Sequence, residues 1–111
     1  MLSIVGTDAY FSGFNVHIQS GTGATDGPLN GRGNLIVGYN KASNGQTRTG
    51  SHNLIVGDEH EYTSFGGFVA GLANRVTGVY ASVSGGEDNT TSGINEWHAG
   101  RTAGFPMGSE Y

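Results

Sequence analysis

The sequence predicts an all-β protein, a parallel β-roll or β-solenoid of stacked coils with 14–15 residues each. Short apolar words that end in glycine recur along the chain at a nearly fixed spacing. Glycine accounts for 21 of the 111 residues, well above its usual share of about 7%. No stretch shows the 3.6-residue period of a helix. A fixed period this short is typical of coils that stack with one rung per repeat.

Five words carry the repeat, and their final glycines lie 19, 14, 14 and 15 residues apart. They are LIVG at 35–38, LIVG at 54–57, FVAG at 68–71, SVSG at 82–85 and WHAG at 97–100. Two degraded copies precede them, SIVG at 3–6 and VHIQ at 16–19. Seven copies predict about seven short rungs, in a stack roughly 30 Å long.

Equivalent residues of the words are predicted to lie above one another in the stack, because residues at the same place in stacked strands share a face. The residues two places before the glycine predict a buried ladder of Ile36, Ile55, Val69 and Val83. His98 takes this place in the last word, and His17 takes it in a degraded copy. On a three-fold axis either histidine would form a ring of imidazoles that could seat a metal or an anion. The simpler interpretation is a polar end to an apolar ladder.

The two LIVG words are apolar on both faces of the strand. A strand of this kind is buried on both faces, and a single thin coil covers only one. We therefore expect a second copy of the chain to cover the other face, and a small share of large aliphatic residues supports the same conclusion. The residues expected in the core or the contact between chains are Leu35, Ile36, Val37, Leu54, Ile55, Val56, Val69 and Val83.

The segments between words predict a second strand in each coil with one solvent-exposed (wet) face. The reason is that NRVTG at 74–78 and NTTSG at 89–93 are largely polar. Glycines at the ends of words and segments are predicted to mark turns or close approaches of backbone. These turn glycines are Gly38, Gly57, Gly71, Gly78, Gly85, Gly93 and Gly100.

The chain is predicted to be one domain, 1–111, in which two stretches and the tail depart from the repeat. Residues 20–33 and 39–50 are rich in Gly, Asn, Thr and Ser, which predicts loops inserted into the stack. Such insertions are either solvent-exposed loops without a binding role or part of a binding face. The tail, 101–111, carries no repeat.

Composition and motifs exclude several classes of function. The net charge is −4, and Lys41 and the four arginines are scattered, so no groove for nucleic acid is expected. No apolar run approaches the length of a membrane span. The acidic run at 58–61 (DEHE) offers oxygen ligands for calcium, but such a run is more typical of a solvated turn. No catalytic motif or cofactor fingerprint is present, so we expect a protein that is not an enzyme and needs no cofactor.

The words NLIVG, FVAG and SVSGG, with N-x-h-[ST]-G segments between them, resemble the head repeats of the YadA-like trimeric autotransporter adhesins. The resemblance covers roughly residues 34–100. It implies a left-handed parallel β-roll, a homotrimer, and an adhesive or structural role on a bacterial surface or in a fibre. The usual word of that family is close to SVAIG, and only SVSG at 82–85 keeps the Ser-Val start.

The expected function is therefore a trimeric structural and adhesive head module at the bacterial cell surface or otherwise outside the cell, with a host surface or a glycan as a possible ligand. Two alternatives stay open. One is a self-assembling extracellular filament subunit that stacks end to end, because exposed rungs at the ends of a stack can pair. The other is a phage-type fibre segment that binds glycans through exposed aromatic side chains.

Overall fold

The computed structural model describes residues 1–100 and shows a parallel β-solenoid of about three turns, with no helix in that range. The strands are β1 (Leu2–Val5), β2 (Asp8–Phe11), β3 (Leu35–Val37), β4 (Leu54–Asp58), β5 (Glu61–Tyr62), β6 (Phe68–Leu72), β7 (Arg75–Val76), β8 (Ser82–Val83), β9 (Thr90–Thr91) and β10 (Trp97–His98). One parallel sheet has the order β10-β8-β6-β4-β3, and a second has the order β5-β7-β9. Each full coil gives one strand to each sheet.

The five words supply the five strands of the larger sheet. Its register pairs Ile36 with Ile55, Ile55 with Val69, Val69 with Val83, and Val83 with His98. Ile55, Val69 and Val83 are at most 1% exposed. The expectation of burial is wrong for Ile36, which is 44% exposed. The reason is that β3 is the edge of the sheet, so no coil covers the interior above Ile36.

The second sheet forms where the polar segments predicted it. In β7 and β9 the inward residues Val76 and Thr91 are buried, while Arg75 and Thr90 are exposed. Although β5 is an edge strand, its Tyr62 is only 4% exposed. The end of the stretch 39–50 covers it, since the Tyr62 amide donates to the Thr47 carbonyl (3.1 Å) and the Gly50 amide donates to the Tyr62 carbonyl (3.0 Å).

The glycines that end the words differ in their surroundings, and two of them lie within strands. Gly57 and Gly71 lie within β4 and β6 at φ +106°, a region that favours glycine. A Cβ at Gly71 would overlap the carbonyl oxygen of Gly86 in the next coil. Gly78 has an ordinary φ but approaches the Gly93 carbonyl too closely for a Cβ, whereas Gly85 has open space around it.

The sharp corners of the coils are formed by residues other than glycine that adopt a left-handed backbone conformation. Their φ angles lie between 56° and 63°, and they include Glu59, Ala73, Asp88, His52, Tyr80 and Asn95.

The prediction of seven rungs is wrong, because the first two copies do not join the stack. SIVG at 3–6 belongs to an antiparallel hairpin in which β1 pairs with β2. Gly6, at φ +60°, and Thr7 form the two-residue turn that reverses the chain. VHIQ at 16–19 lies outside the strands, as do residues 20–33 and 39–50. The predicted tail, 101–111, lies outside the described residues.

Candidate assembly surface and the histidine contacts

The outer face of the larger sheet is apolar and uncovered within this chain. Alternate residues of the strands point away from the buried column. Seven of them are uncharged, namely Leu35, Val37, Leu54, Val56, Phe68, Ser82 and Trp97, whereas Asp58 stands at the end of β4 beyond Gly57. We call this surface the outer sheet face. Leu35, Val37 and Trp97 are 48–52% exposed on it, and Leu54, Val56 and Phe68 are half-buried between their neighbours. Contiguous exposed apolar surface is typical of sites of interaction.

The N-terminal hairpin carries a second uncovered apolar surface. Residues that pair directly across an antiparallel hairpin lie on the same side, so Leu2, Ile4, Ala9 and Phe11 share one face. Leu2 and Phe11 are each 55% exposed, and Ile4 is 74% exposed. Phe14 adds an edge-on contact to Phe11, with 6.2 Å between ring centroids. The strands of the hairpin pack chiefly against each other.

The two histidines considered for axial rings, His17 and His98, have different surroundings in the structure. His17 is exposed and lies outside the strands. His98 ends the inward column, where its Nε2 lies 3.4 Å from a carboxylate oxygen of Glu96 and its Nδ1 is buried without a hydrogen-bond partner. Because this column faces the interior of the chain's own coil, it cannot line an axis between chains. The expectation of an axial imidazole ring is therefore wrong, and His98 is the polar end of the ladder.

His52 connects the inserted stretch 20–33 to the solenoid. Its Nε2 accepts a hydrogen bond from the Ser20 amide (3.0 Å), and its Nδ1 donates to the Thr25 carbonyl (3.1 Å). The imidazole is therefore neutral, with the proton on Nδ1. It forms one wall of a pocket of about 310 Å³ whose other walls come from residues 19–25. With both ring nitrogens bonded to backbone, the side chain cannot also bind a metal.

His60 was expected in a solvated turn, but it is fully buried. Its Nε2 donates to the Val56 carbonyl (2.8 Å), four residues earlier, and its Nδ1 accepts from the Asn74 amide of the next coil (3.1 Å). Asn74 repeats the pattern one coil further on. Its Nδ2 donates to the Ala70 carbonyl (2.7 Å), and its Oδ1 accepts from the Asn89 amide (2.8 Å).

Asn89 continues the pattern, since its Nδ2 donates to the carbonyl of Gly85 (3.3 Å). We call His60, Asn74 and Asn89 the corner ladder. A signal for it was present in the sequence: each member stands three residues after a glycine, at 57, 71 and 86. The signal is hidden when the words are aligned on Gly85 instead of Gly86, because Asn89 then stands one place out of line with His60 and Asn74.

The carboxylates beside His60 are engaged with other groups. Asp58 accepts from the Lys41 amide (2.7 Å), and Glu59 accepts from the Ser43 hydroxyl (2.6 Å). Partial burial acts to raise the pKa of Glu61, but its hydrogen bond from the Thr47 amide and its ion pair with Arg75 (2.9 Å) outweigh burial and hold that pKa below the usual value. Among residues 1–100, no cluster of three or more His, Asp or Glu side chains could hold a metal ion.

In comparisons with known proteins, no protein-family model, curated protein or solved structure matches the chain. Within the part of the chain that the structure describes, no helix is long and apolar enough to cross a membrane.

Proposed function

We propose that this chain is a non-catalytic structural and adhesive head module of a bacterial surface or fibre protein, and that it works as a homotrimer. The outer sheet face carries the proposal, because an apolar sheet face requires a cover. The resemblance of the words at 34–100 to YadA-like head repeats supports the trimer, the left-handed coil and the place outside the cell. The fold itself is compatible with many functions.

The surface chemistry favours contact between copies over contact with a charged partner. Leu35, Val37 and Trp97 supply a broad apolar area, whereas no basic cluster is available to bind nucleic acid. Chains that pack around an axis would bury this face as the core of an obligate interface, which is more apolar than a transient one. The adhesive ligand would then contact the inserted stretches or the exposed corners rather than this face.

A second candidate is a filament subunit that stacks end to end, and the open end of the solenoid favours it. β3 is an end strand of the larger sheet, and its central residue, Ile36, is 44% exposed. Another copy could pair with this edge and continue the buried column. The two candidates use different surfaces, namely the face of the sheet and its edge.

Light scattering combined with electron microscopy separates these candidates. For the trimer we expect discrete particles of three times the chain mass in the wild type. Val56→Asp, on the outer sheet face, should dissociate them, because assembly would bury an unpaired charge. Thr90→Asp, on the wet face of the second sheet, is the matched control and should leave the trimer intact. A folded wild-type monomer would refute assembly, and long fibres would favour the filament.

A glycan array with the purified assembly tests the adhesive part of the proposal. Binding that survives Thr90→Asp but is lost on substitution in the inserted stretches would support a ligand site there. A trimer that binds no glycan and no host-cell surface would retain the structural role and remove the adhesive one.

A further inference from the structure

We propose that His60 is an acid-sensitive switch that holds the corner of the solenoid closed when neutral and releases it when protonated. Among the described residues, it is a fully buried ring whose two nitrogens join neighbouring coils. The proposal concerns the single chain and does not depend on the trimer or on an adhesive ligand.

The geometry defines the tautomer. The Asn74 amide can only donate, so Nδ1 of His60 must accept and carry no proton. Nε2 then carries the proton that it donates to the Val56 carbonyl. A second proton has only Nδ1 to bind. It would place an N–H against the Asn74 N–H and a charge on a fully buried ring, and both are costly.

The charged groups around His60 have hydrogen-bond partners of their own. On its own segment, Asp58 and Glu59 are bonded to residues of the stretch 39–50, and Glu61 is bonded to Thr47 and Arg75. From the stretch 39–50, the Arg48 guanidinium donates to the His60 carbonyl (2.9 Å), which places another cation nearby. Lys41 faces this corner through its backbone. From the next coils come Asn74 and Asn89, which are neutral, and Glu87 and Asp88, which are exposed.

The other members of the corner ladder show why histidine is special here. Asn74 and Asn89 make the same pair of contacts, a donor to the carbonyl four residues earlier and, for Asn74, an acceptor for the amide of the next coil. An amide makes these contacts at every pH between 4 and 9, because it does not titrate. Within the corner ladder, only His60 can therefore respond to pH. His60→Asn is the matched substitution, since it installs the residue of the neighbouring coils.

The direction follows from linkage. The closed corner cannot take the second proton without losing the Asn74 contact, whereas an imidazole in an opened coil is free to take it. Acid therefore favours the open form. The contact should be fully present in neutral and alkaline solution.

Urea unfolding of the full chain, followed by circular dichroism at pH 7.5 and pH 5.5, tests the proposal. We expect the midpoint of the wild type to fall between these values and that of His60→Asn to change much less. The exposed His17→Asn is the control and should behave as the wild type. If the wild type and His60→Asn fall in parallel, the acid-sensitive group is elsewhere and the proposal is wrong.

If His60→Asn does not fold, nitrogen-15 NMR of the wild type tests the proposal instead. At pH 7.5 the ring of His60 should show the proton on Nε2 alone, and the Asn74 amide should be protected from hydrogen exchange. On acidification, uptake of a proton by the ring and loss of that protection should occur together. A doubly protonated His60 beside a still protected Asn74 amide would overturn the switch.

Discussion

The solenoid at 51–100 and the N-terminal segment at 1–34 contain the same kind of apolar words, yet only the solenoid buries them. All six buried hydrophobic residues lie between Ile55 and Val83. In the N-terminal segment, Ile4 and Val5 are 74% and 64% exposed although they belong to a word, SIVG. The difference teaches that a word is buried only when a coil lies in register above it and another below it. β3 stands between the two regions and is accordingly half-exposed.

The largest expected effect comes from placing the same charge in each region. Val69→Asp puts an unpaired carboxylate at a site that is 1% exposed, which should cost about 4 kcal/mol or more and leave little folded protein. Val5→Asp, at a site that is 64% exposed, should change stability by about 0.5 kcal/mol or less. Urea unfolding monitored by circular dichroism measures both. Equal destabilisation by the two variants would mean that the hairpin is an integral part of the fold.

Glycine replacements sharpen the comparison within the solenoid. Gly71→Ala forces a side chain into φ +106° and against the Gly86 carbonyl, so we expect a loss of about 1–3 kcal/mol. Gly85→Ala, where the added Cβ meets nothing within 4 Å, should be neutral or slightly stabilising. Thermal unfolding of both variants checks this. A severe loss in Gly85→Ala would show that the period of the words, rather than local backbone geometry, determines the need for glycine.

The contacts of His52 predict a local effect on the inserted stretch. His52→Ala removes the acceptor of the Ser20 amide and the donor to the Thr25 carbonyl. We expect faster hydrogen exchange at Ser20 and faster proteolysis within 20–28, with only a small change in the thermal midpoint. His17→Ala is the control and should alter neither rate. Unchanged exchange at Ser20 in His52→Ala would show that other contacts hold the stretch.

The smallest expected effect is the acid dependence contributed by Glu61. Partial burial of Glu61 is outweighed by the hydrogen bond from Thr47 and the ion pair with Arg75, which lower its pKa on folding from the usual value of 4.5. Its contribution should therefore be fully present above that value and be lost as the pH falls through the lower, folded pKa. Glu61→Gln should be less stable than the wild type at pH 7, by less than about 1 kcal/mol, and equal to it in strong acid. Urea midpoints at pH 7 and pH 3 give the comparison. A difference that persists at pH 3 would point to packing rather than charge.

The two acid effects can be separated by substitution. The contribution of Glu61 is lost as the pH falls below 4.5, and Glu61→Gln removes it while leaving His60 in place. A double substitution, His60→Asn with Glu61→Gln, should remove both effects. Because the two residues are neighbours, their effects need not be additive.

The sequence by itself determined the parallel stack, the period of 14–15 residues and the column that contains Ile55, Val69 and Val83. A repeat can specify this much because each rung meets a nearly identical neighbour, so a local pattern fixes the register everywhere. It also indicated the second strand with one wet face, since Val76 and Thr91 alternate with polar residues.

Only the tertiary structure decided where the stack begins and which polar residues lie inside it. The SIVG word reads like the others, but the turn at Gly6 and Thr7 gives it an antiparallel partner before a coil can cover it. His60 reads as part of a charged run, but the corner of the coil closes around it and leaves its ring nitrogens two backbone groups as partners. Burial at the end or the corner of a solenoid depends on what the neighbouring coil covers. That is a property of the packed chain and not of any single word.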